Sequence, residues 1–184
     1  MNDSTPDQGE LILVDAHDNP IGRADKVAAH RNGGRLHRAF SVFIFDALDR
    51  LLLQRRASSK YHFGGLWSNT CCGHPTGDLP TKVCAERRLL EEFGFTTALT
   101  WVCVMEYQAH DPASGLTERE MDHVFVGRYA GAVRPDPREI DAFRWSSWEE
   151  VRREIADRPA RFTPWFRLLV QQHGGEIVAA VSEL

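Results

Sequence analysis

The stretch HRAFSVFIF, residues 37–45, decides the fold. Successive side chains of a β-strand point to opposite faces of the sheet. Here one face would carry His37, Ala39, Ser41, Phe43 and Phe45, and the other face is apolar apart from its first residue. Aromatic and branched residues with an apolar opposite face are typical of a buried strand. Residues 37–45 are therefore predicted to form a well-buried strand.

Further strands are predicted on both sides of this stretch. The segment Asp46–Asp49 is a turn and Leu51–Arg56 a return strand, which together predict a hairpin. The other strand-like segments are Glu10–Asp15, which ends at the turn residues Asp18, Asn19 and Pro20, then Leu99–Tyr107 and Glu118–Tyr129. Residues 57–80 are rich in Gly, Pro, Ser and Asn, and predict a long loop of the kind that is often functional.

Three segments carry helix signals. Asp78 as N-cap, Pro80 in the first turn and Gly94 just past the end bracket the first helix. Ser147 and Glu150 have capping-box spacing before Val151–Ile155, and Thr163-Pro164 opens a helix that runs toward Gly174. We expect an α+β fold, a mixed β-sheet with flanking helices, in one compact domain over residues 10–184. Residues 1–9 are expected to be a flexible tail.

Composition narrows the function classes. The chain has 184 residues, with 42% hydrophobic and 26% charged residues, which is ordinary for a globular protein. No apolar run approaches the ~20 residues of a membrane span, and the polar start MNDSTPDQGE is unlike a signal peptide. A net charge of -4 argues against nucleic acid as a partner. We expect a cytoplasmic monomer with no membrane or nucleic-acid partner and free thiols.

Two carboxylates two residues apart suggest a cation site. Glu118 and Glu120 would project from one face of a strand, about 7 Å apart along the chain. Like charges so placed repel unless a cation or proton lies between them. A solvated strand edge is the competing interpretation, and the spacing alone does not decide between the two.

Histidines could complete such a site. His30 and His37 flank an Asn-Gly-Gly loop, and His74 lies in the loop sequence Cys-Gly-His-Pro. Mixed imidazole and carboxylate ligands suit Mn²⁺, Mg²⁺ or Zn²⁺. The pair His30 and His37 taken alone is more often structural. Four further histidines among polar or turn residues are predicted to lie at the surface: His17, His62, His110 and His173.

One thiol and several cations are candidates for chemistry. Cys72 precedes a glycine in the long loop, where a reactive thiol is expected, although a buried inert cysteine is the common alternative. Arg55, Arg56 and Lys60 cluster after the second hairpin strand, and Lys26 precedes His30. Such side chains can hold phosphate oxygens, although isolated ones are usually solvated.

The segment from Gly73 to Phe95 resembles a Nudix box, the loop–helix element that binds a diphosphate-bridging metal. Five of the expected residues are present: Gly73, Arg87, Glu91, Glu92 and Gly94. Leu79 and Arg88 stand where the box has glutamates. These missing carboxylates put ordinary Nudix hydrolysis in doubt.

Over most of its length the chain resembles type 1 isopentenyl-diphosphate Δ-isomerase, a Nudix branch with a degenerate box. The matching segments, in the family's order, are Lys26–His30, Arg35–Phe40, Gln54–Lys60, Trp67–Pro75, Tyr107–Glu120 and Thr163–Trp165. They span about residues 10–170. The combination of Cys-Gly-His-Pro with paired glutamates and two upstream histidines is specific.

The resemblance implies the activity and the roles of individual residues. The enzyme would isomerise isopentenyl diphosphate to dimethylallyl diphosphate in isoprenoid biosynthesis, through a tertiary carbocation. The resemblance also assigns a metal site to His30, His37, His74, Glu118 and Glu120, and a diphosphate-bridging Mg²⁺ to Glu92. The catalytic residues that it implies are Cys72, Glu120, Tyr107 and Trp165, and the substrate-binding residues are Lys26, Arg56, Lys60 and Trp67. Core packing is the competing interpretation for Tyr107 and Trp165. The alternative functions are a Nudix diphosphate hydrolase and a non-catalytic diphosphate binder.

Overall fold

A computed structural model describes residues 10–60 and 62–184, so the tail expected at residues 1–9 lies outside the described residues. The strands are β1 (Leu11–Val14), β2 (Pro20–Ala24), β3 (His37–Phe45), β4 (Arg50–Arg56), β5 (Trp67–Ser68), β6 (Cys71–Gly73), β7 (Thr100–His110), β8 (Thr117–Arg128) and β9 (Ile140–Ser147). The helices are α1 (Lys26–His30), α2 (Thr81–Phe93), α3 (Trp148–Asp157), α4 (Pro164–Gln172) and α5 (Gly174–Ser182), with a 3₁₀ turn at Pro159–Arg161.

The predicted buried strand is β3, and it lies at the centre of the sheet. It pairs in parallel with β8 along its whole length and antiparallel with β6. Phe43 and Phe45 pack into one apolar core, and Phe40, Val42 and Ile44 pack into a second core on the other face. The alternation predicted from the sequence is confirmed.

Helices cover both faces of this mixed sheet. The buried side of α2 contributes Cys84, Ala85, Leu89 and Phe93 to the same core as Phe40. On the opposite face α3, α4 and α5 pack against Phe43 and Phe45. The α+β expectation is therefore confirmed, and none of the described helices is long and apolar enough to cross a bilayer.

Several elements differ from the sequence-based prediction. Residues 57–80 are not wholly loop, because β5 pairs with β4 and β6 pairs with β3. These strands have two and three residues, too few to show an alternating pattern, and tertiary pairing alone defines them. Strands β2 and β9 and helix α5 were also not anticipated.

The ends of the helices test the capping predictions. Gly94 ends α2 in the left-handed region at φ 71°, and Ser147 and Glu150 form the predicted capping box of α3. Asp78 does not cap α2: its carboxylate pairs with Arg23 at 2.8 Å, and the helix begins only at Thr81. Thr163 precedes α4 as predicted, but its hydroxyl bonds to Ser68 instead of to the helix.

Gly94 yields a stability prediction. A Cβ at this position would lie 3.1 Å from the Arg134 carbonyl oxygen, and the left-handed backbone is costly for a residue with a side chain. Gly94→Ala is expected to lower the free energy of unfolding by about 1–2 kcal/mol, measured by urea denaturation. The control is Gly175→Ala in α5, where an added Cβ meets nothing within 4 Å. Equal midpoints for the two variants would contradict the assignment.

Candidate active site and metal centre

The register of three neighbouring strands builds the centre of the site. Glu120 on β8 lies opposite His37 on β3 and opposite Tyr107 on β7. Because alternate residues share a face, Glu118 lies on the same side of the sheet as Glu120. Both carboxylates are buried, so the solvated strand edge considered from the sequence is wrong.

Five side chains bring one donor atom each to within 4.8 Å of all the others: His30, His37, His74, Glu118 and Glu120. Their closest contacts are His30 Nε2 to Glu118 Oε2 at 2.7 Å, and His74 Nε2 to Glu120 Oε1 at 2.9 Å. His30 ends helix α1, His37 begins β3 and His74 follows β6. Chain segments far apart in sequence thus converge on the two carboxylates of β8.

The imidazoles are oriented as metal ligands usually are. His30 Nδ1 lies 2.5 Å from the Lys26 carbonyl oxygen, and His37 Nδ1 lies 2.8 Å from that of Arg35. A carbonyl oxygen can only accept a hydrogen bond, so Nδ1 is the donor in both rings and Nε2 points toward the carboxylates. From this position Nε2 can donate a proton to a carboxylate, as His30 does to Glu118, or bind a metal ion once that proton is lost. Two buried carboxylates side by side repel each other unless protons or a cation lie between them. This donor set fits a divalent metal ion of intermediate hardness.

The charge of the site is held at two carboxylates. Burial tends to raise the pKa of Glu118, but hydrogen bonds from His30 and His62 hold that pKa well below its ordinary value. Asp122, two residues beyond Glu120 on the same face, is different. Burial, together with the charge of Glu120, raises the pKa of Asp122 well above its ordinary value, and the carboxyl bonds to Ser41 at 2.8 Å. Asp122 was overlooked, although it continues the alternating acidic series.

The thiol and the phenol lie beside this cluster. Cys72 on β6 pairs with Ser41 on β3, and its sulfur is 3.3 Å from Asn69 Oδ1. Burial raises the pKa of Cys72 to about 12, so at neutral pH the side chain is a thiol. The Tyr107 hydroxyl donates a hydrogen bond of 2.5 Å to Glu120 Oε2. A phenol proton therefore lies in direct contact with the carboxylate.

An aromatic side chain, Trp165, forms part of the wall of the site. Trp165, from the first turn of α4, is buried against Phe63 in an edge-to-face contact at 5.4 Å and lies 6.4 Å from Tyr107 between ring centroids. The guanidinium of Arg56 lies over the indole ring at 5.3 Å. The face of Trp165 therefore already stabilises a cation.

A group of cations with two buried carboxylates lies on the other side. Arg88 on α2 pairs with Glu92 at 2.8 Å and with Glu139 at 2.7 Å. Lys60 also pairs with Glu139, and Gln54 donates to Glu92. Glu92 is buried near the end of α2 but lies outside the five-donor cluster. Glu139 was overlooked because nothing near it in sequence marks it as a site residue.

One cavity joins these parts. Its lining residues are Lys26, Ser41, Arg56, Lys60, His62, Cys72, Gly73, His74, Arg88, Glu92, Tyr107, Glu118, Glu120 and Trp165. Most side chains that the sequence singled out thus surround a single space. Trp67, expected to line the pocket, is not among them; its ring lies under the Arg144 guanidinium at 4.8 Å.

His62 corrects a prediction. It was expected at the surface among polar neighbours, but it is only 7% exposed and pairs with Glu118. The loop that carries His62 folds back onto β8, and this long-range contact leaves no signal in the local sequence. His17 and His110 are exposed as predicted, and His173 is half-buried.

Comparisons with known proteins show which family the chain resembles. A family model described as the NUDIX domain matches residues 35–166. A protein named isopentenyl-diphosphate Delta-isomerase from Halorhodospira halophila is 48% identical over 163 residues, covering 88% of this chain and 93% of that protein. A protein of the same name from Burkholderia multivorans is 48% identical over 164 residues, covering 89% of this chain and 92% of that protein.

Solved structures show the same fold at lower sequence identity. A MutT protein from Methanosarcina mazei superimposes with a TM-score of 0.64 at 18% identity, covering 77% of this chain and 94% of that one. A MutT NUDIX hydrolase from Burkholderia pseudomallei gives a TM-score of 0.58 at 22% identity, covering 75% and 98%. The chain belongs to the NUDIX family and, within it, to the isopentenyl-diphosphate Delta-isomerases.

Proposed function

We propose that this enzyme converts isopentenyl diphosphate into dimethylallyl diphosphate, as the names of its relatives indicate. The observation that carries the proposal is the convergence, in one cavity, of a half-buried thiol, a buried carboxylate and a group of cations. The domain responsible spans residues 10–184. We propose that it acts as a monomer, because the cavity is built from one chain, and in the cytoplasm, where Cys72 stays reduced.

The reaction moves one double bond. A proton adds to one carbon of the alkene and another proton leaves a carbon two positions away, so the positive charge lies on the tertiary carbon between them. An unactivated alkene is a poor base, and both proton transfers need a positioned group. An acid and a base must therefore reach different carbons of the substrate.

Cys72 and Glu120 are proposed to be these two groups. They lie on different strands, β6 and β8, and both line the cavity. Because the product is an isomer of the substrate, the donor in one direction is the acceptor in the other. The Tyr107 hydroxyl, at 2.5 Å from Glu120 Oε2, would return or remove the proton of the carboxylate.

Trp165 is proposed to stabilise the carbocation. Trp165 lines the cavity, and the Arg56 guanidinium at 5.3 Å from its ring centre shows that the indole can attract a cation. A cation over a desolvated indole is worth about 2 kcal/mol. The aromatic packing of Trp165 against Phe63 also helps to exclude water, which would trap the cation as an alcohol.

The cluster of imidazoles and carboxylates is proposed to hold Mn²⁺, Mg²⁺ or Zn²⁺, with His30, His37, His74, Glu118 and Glu120 as ligands. Such an ion supplies a fixed positive charge that orients Glu120 and tunes its proton affinity. Glu92 would hold a second ion, Mg²⁺, against the substrate diphosphate. The buried carboxylate of Glu92 and its position on the cavity wall support this role.

Basic side chains are proposed to bind the diphosphate. Lys26, Arg56 and Lys60 line the cavity together with Arg88. They place four basic side chains on the cavity wall although the chain carries a net charge of -4. Total charge thus limits the choice of macromolecular partners but not of a small anionic substrate.

One contact disfavours the alternative of a diphosphate hydrolase. Arg88 stands where the Nudix box has a glutamate, and it pairs with Glu92 at 2.8 Å. A cation at this point removes a carboxylate that would gather metal ions around the diphosphate and partly neutralises its neighbour. The wall that would carry hydrolytic metal ions is therefore less acidic.

The activity itself is directly testable. Incubation with isopentenyl diphosphate and Mg²⁺ in D₂O is expected to give dimethylallyl diphosphate with deuterium in the new methyl group, because the added proton comes from exchangeable enzyme groups. NMR follows both signals, and Cys72→Ser serves as the impaired control. Release of phosphate without an alkene shift would instead support the hydrolase.

Glu120 is expected to be indispensable. Glu120→Gln removes the charge and the proton-accepting oxygen while preserving the shape of the side chain, and should lower kcat at least 10²-fold, the lower end of the usual range for a general acid or base. Glu106→Gln on neighbouring β7, where the carboxylate is 45% exposed and pairs with Arg119, is the matched control. Near-full activity of Glu120→Gln would refute the role.

Metal removal should also lower stability. A ligand that binds only the folded state stabilises it by about 2.7 kcal/mol at one hundred times its Kd. For a protein of this size that corresponds to a rise in Tm of roughly 5–10 °C. EDTA-treated protein should therefore melt lower and regain the difference with Mn²⁺, measured by scanning calorimetry. Glu118→Gln should abolish the gain, and an equal gain in that variant would place the ion elsewhere.

A further inference from the structure

His62 is a buried imidazole of the cavity that the proposed reaction leaves without a role. It lies in residues 57–66, the segment between β4 and β5 that also carries Lys60. Its Nε2 atom pairs with Glu118 Oε1. The other oxygen of that carboxylate, Oε2, faces His30 at 2.7 Å and His37 at 4.0 Å.

The two oxygens of Glu118 therefore have different surroundings. Oε2 is the oxygen that faces His30 and His37, two members of the five-donor cluster, and His62 is not a member of that cluster. A ring that contacts the outer oxygen of a metal-binding carboxylate orients it without being a ligand itself. Such outer contacts typically set the direction and rotation of the ligand.

His62 also connects the proposed metal centre with Arg56 and Trp165, two residues proposed to act on the substrate. Its carbonyl oxygen accepts a hydrogen bond of 3.3 Å from Arg56. Its neighbour Phe63 packs against Trp165 at 5.4 Å and donates its backbone N–H to Asp111. The same short segment thus contacts Glu118, Arg56, which is proposed to bind the diphosphate, and Trp165.

We propose that His62 is a positioning residue that holds Glu118 as a one-oxygen metal ligand and couples the metal centre to residues 57–66. The proposal rests on the metal site described under the proposed function. With Oε1 engaged by His62, the carboxylate presents only Oε2 to the ion. With Glu118 fixed by the ion, His62 and the segment around it are held in place.

Coupling of this kind acts in both directions. If the bound ion orders residues 57–66, it strengthens diphosphate binding to that segment. Diphosphate binding must then strengthen metal binding by the same factor. Loss of a hydrogen-bonding partner behind a metal ligand typically weakens metal binding 10–100-fold. The effect therefore belongs first to metal affinity and only through it to catalysis.

The test compares two variants of His62 and one control. His62→Phe keeps a ring of similar shape but removes the donor, whereas His62→Gln places an amide N–H near the position of Nε2. His17→Gln changes an exposed histidine that does not line the cavity and whose backbone N–H bonds to Asp15. Mn²⁺ binding to each full-length protein is measured by titration with EPR detection of the free ion.

We expect His62→Phe to weaken Mn²⁺ binding 10–100-fold and His62→Gln to restore it to within about threefold of the unchanged protein. His17→Gln should bind normally. The EPR spectrum of bound Mn²⁺ should change in His62→Phe, because Glu118 can then use both oxygens. Equal affinity and an identical spectrum in all four proteins would overturn the proposal.

Hydrogen exchange provides a second readout. In the unchanged protein, Mn²⁺ should slow amide exchange in a peptide covering residues 57–66. In His62→Phe at saturating Mn²⁺ this protection should be lost while that of β8 remains. Protection of residues 57–66 that is the same in both proteins would refute the coupling, even if the variant bound Mn²⁺ more weakly.

These outcomes are distinguishable from failure of the proposed function. Mn²⁺ binding and hydrogen exchange are measured without substrate, so an inactive protein with the expected affinities would still support the role of His62. An active isomerase in which His62→Phe bound Mn²⁺ normally would refute only this inference. Absence of any Mn²⁺ binding by the unchanged protein would overturn both the metal site and the role of His62.

Discussion

The site depends on one electrostatic constraint, the burial of two like-charged carboxylates side by side on β8. Glu118 and Glu120 are 3% and 7% exposed, and their mutual repulsion must be offset locally. Imidazoles from α1, β3 and the segment after β6 meet this demand, and burial together with the charge of Glu120 raises the pKa of Asp122, which disfavours a third charge beside them. The arrangement could hold a divalent cation, and the need to offset the charge explains why distant segments converge on this strand.

In the proposed function, the same sheet separates the groups that transfer protons from the groups that bind the diphosphate. Cys72 and Tyr107 flank the carboxylates from β6 and β7, whereas the cations come from α1, α2, the end of β4 and the segment that follows β4. A neutral alkene can thus lie over the thiol and carboxylate while the diphosphate lies against basic groups. Trp165 connects the two regions, because its ring lies 5.3 Å from the Arg56 guanidinium and 6.4 Å from the Tyr107 ring.

Arg88 illustrates how one substitution redirects an inherited scaffold. In a Nudix box this position holds a glutamate, and here an arginine joins Glu92 and Glu139 in a buried network. A potential metal ligand is thus replaced by a cation that is proposed to bind phosphate. Fold likeness to MutT proteins therefore does not carry their chemistry, since the site and not the scaffold sets the reaction.

The sequence by itself determined the buried strand β3, the glycine end of α2, the capping box of α3 and the shared face of Glu118 and Glu120. Each is a local property, set by periodicity or by backbone geometry within a few residues. Tertiary structure alone decided the short strands β5 and β6, the ion pairs of Glu139 and the burial of His62. These depend on contacts between segments far apart in the chain, and a loop histidine has the same local sequence whether it faces water or a carboxylate.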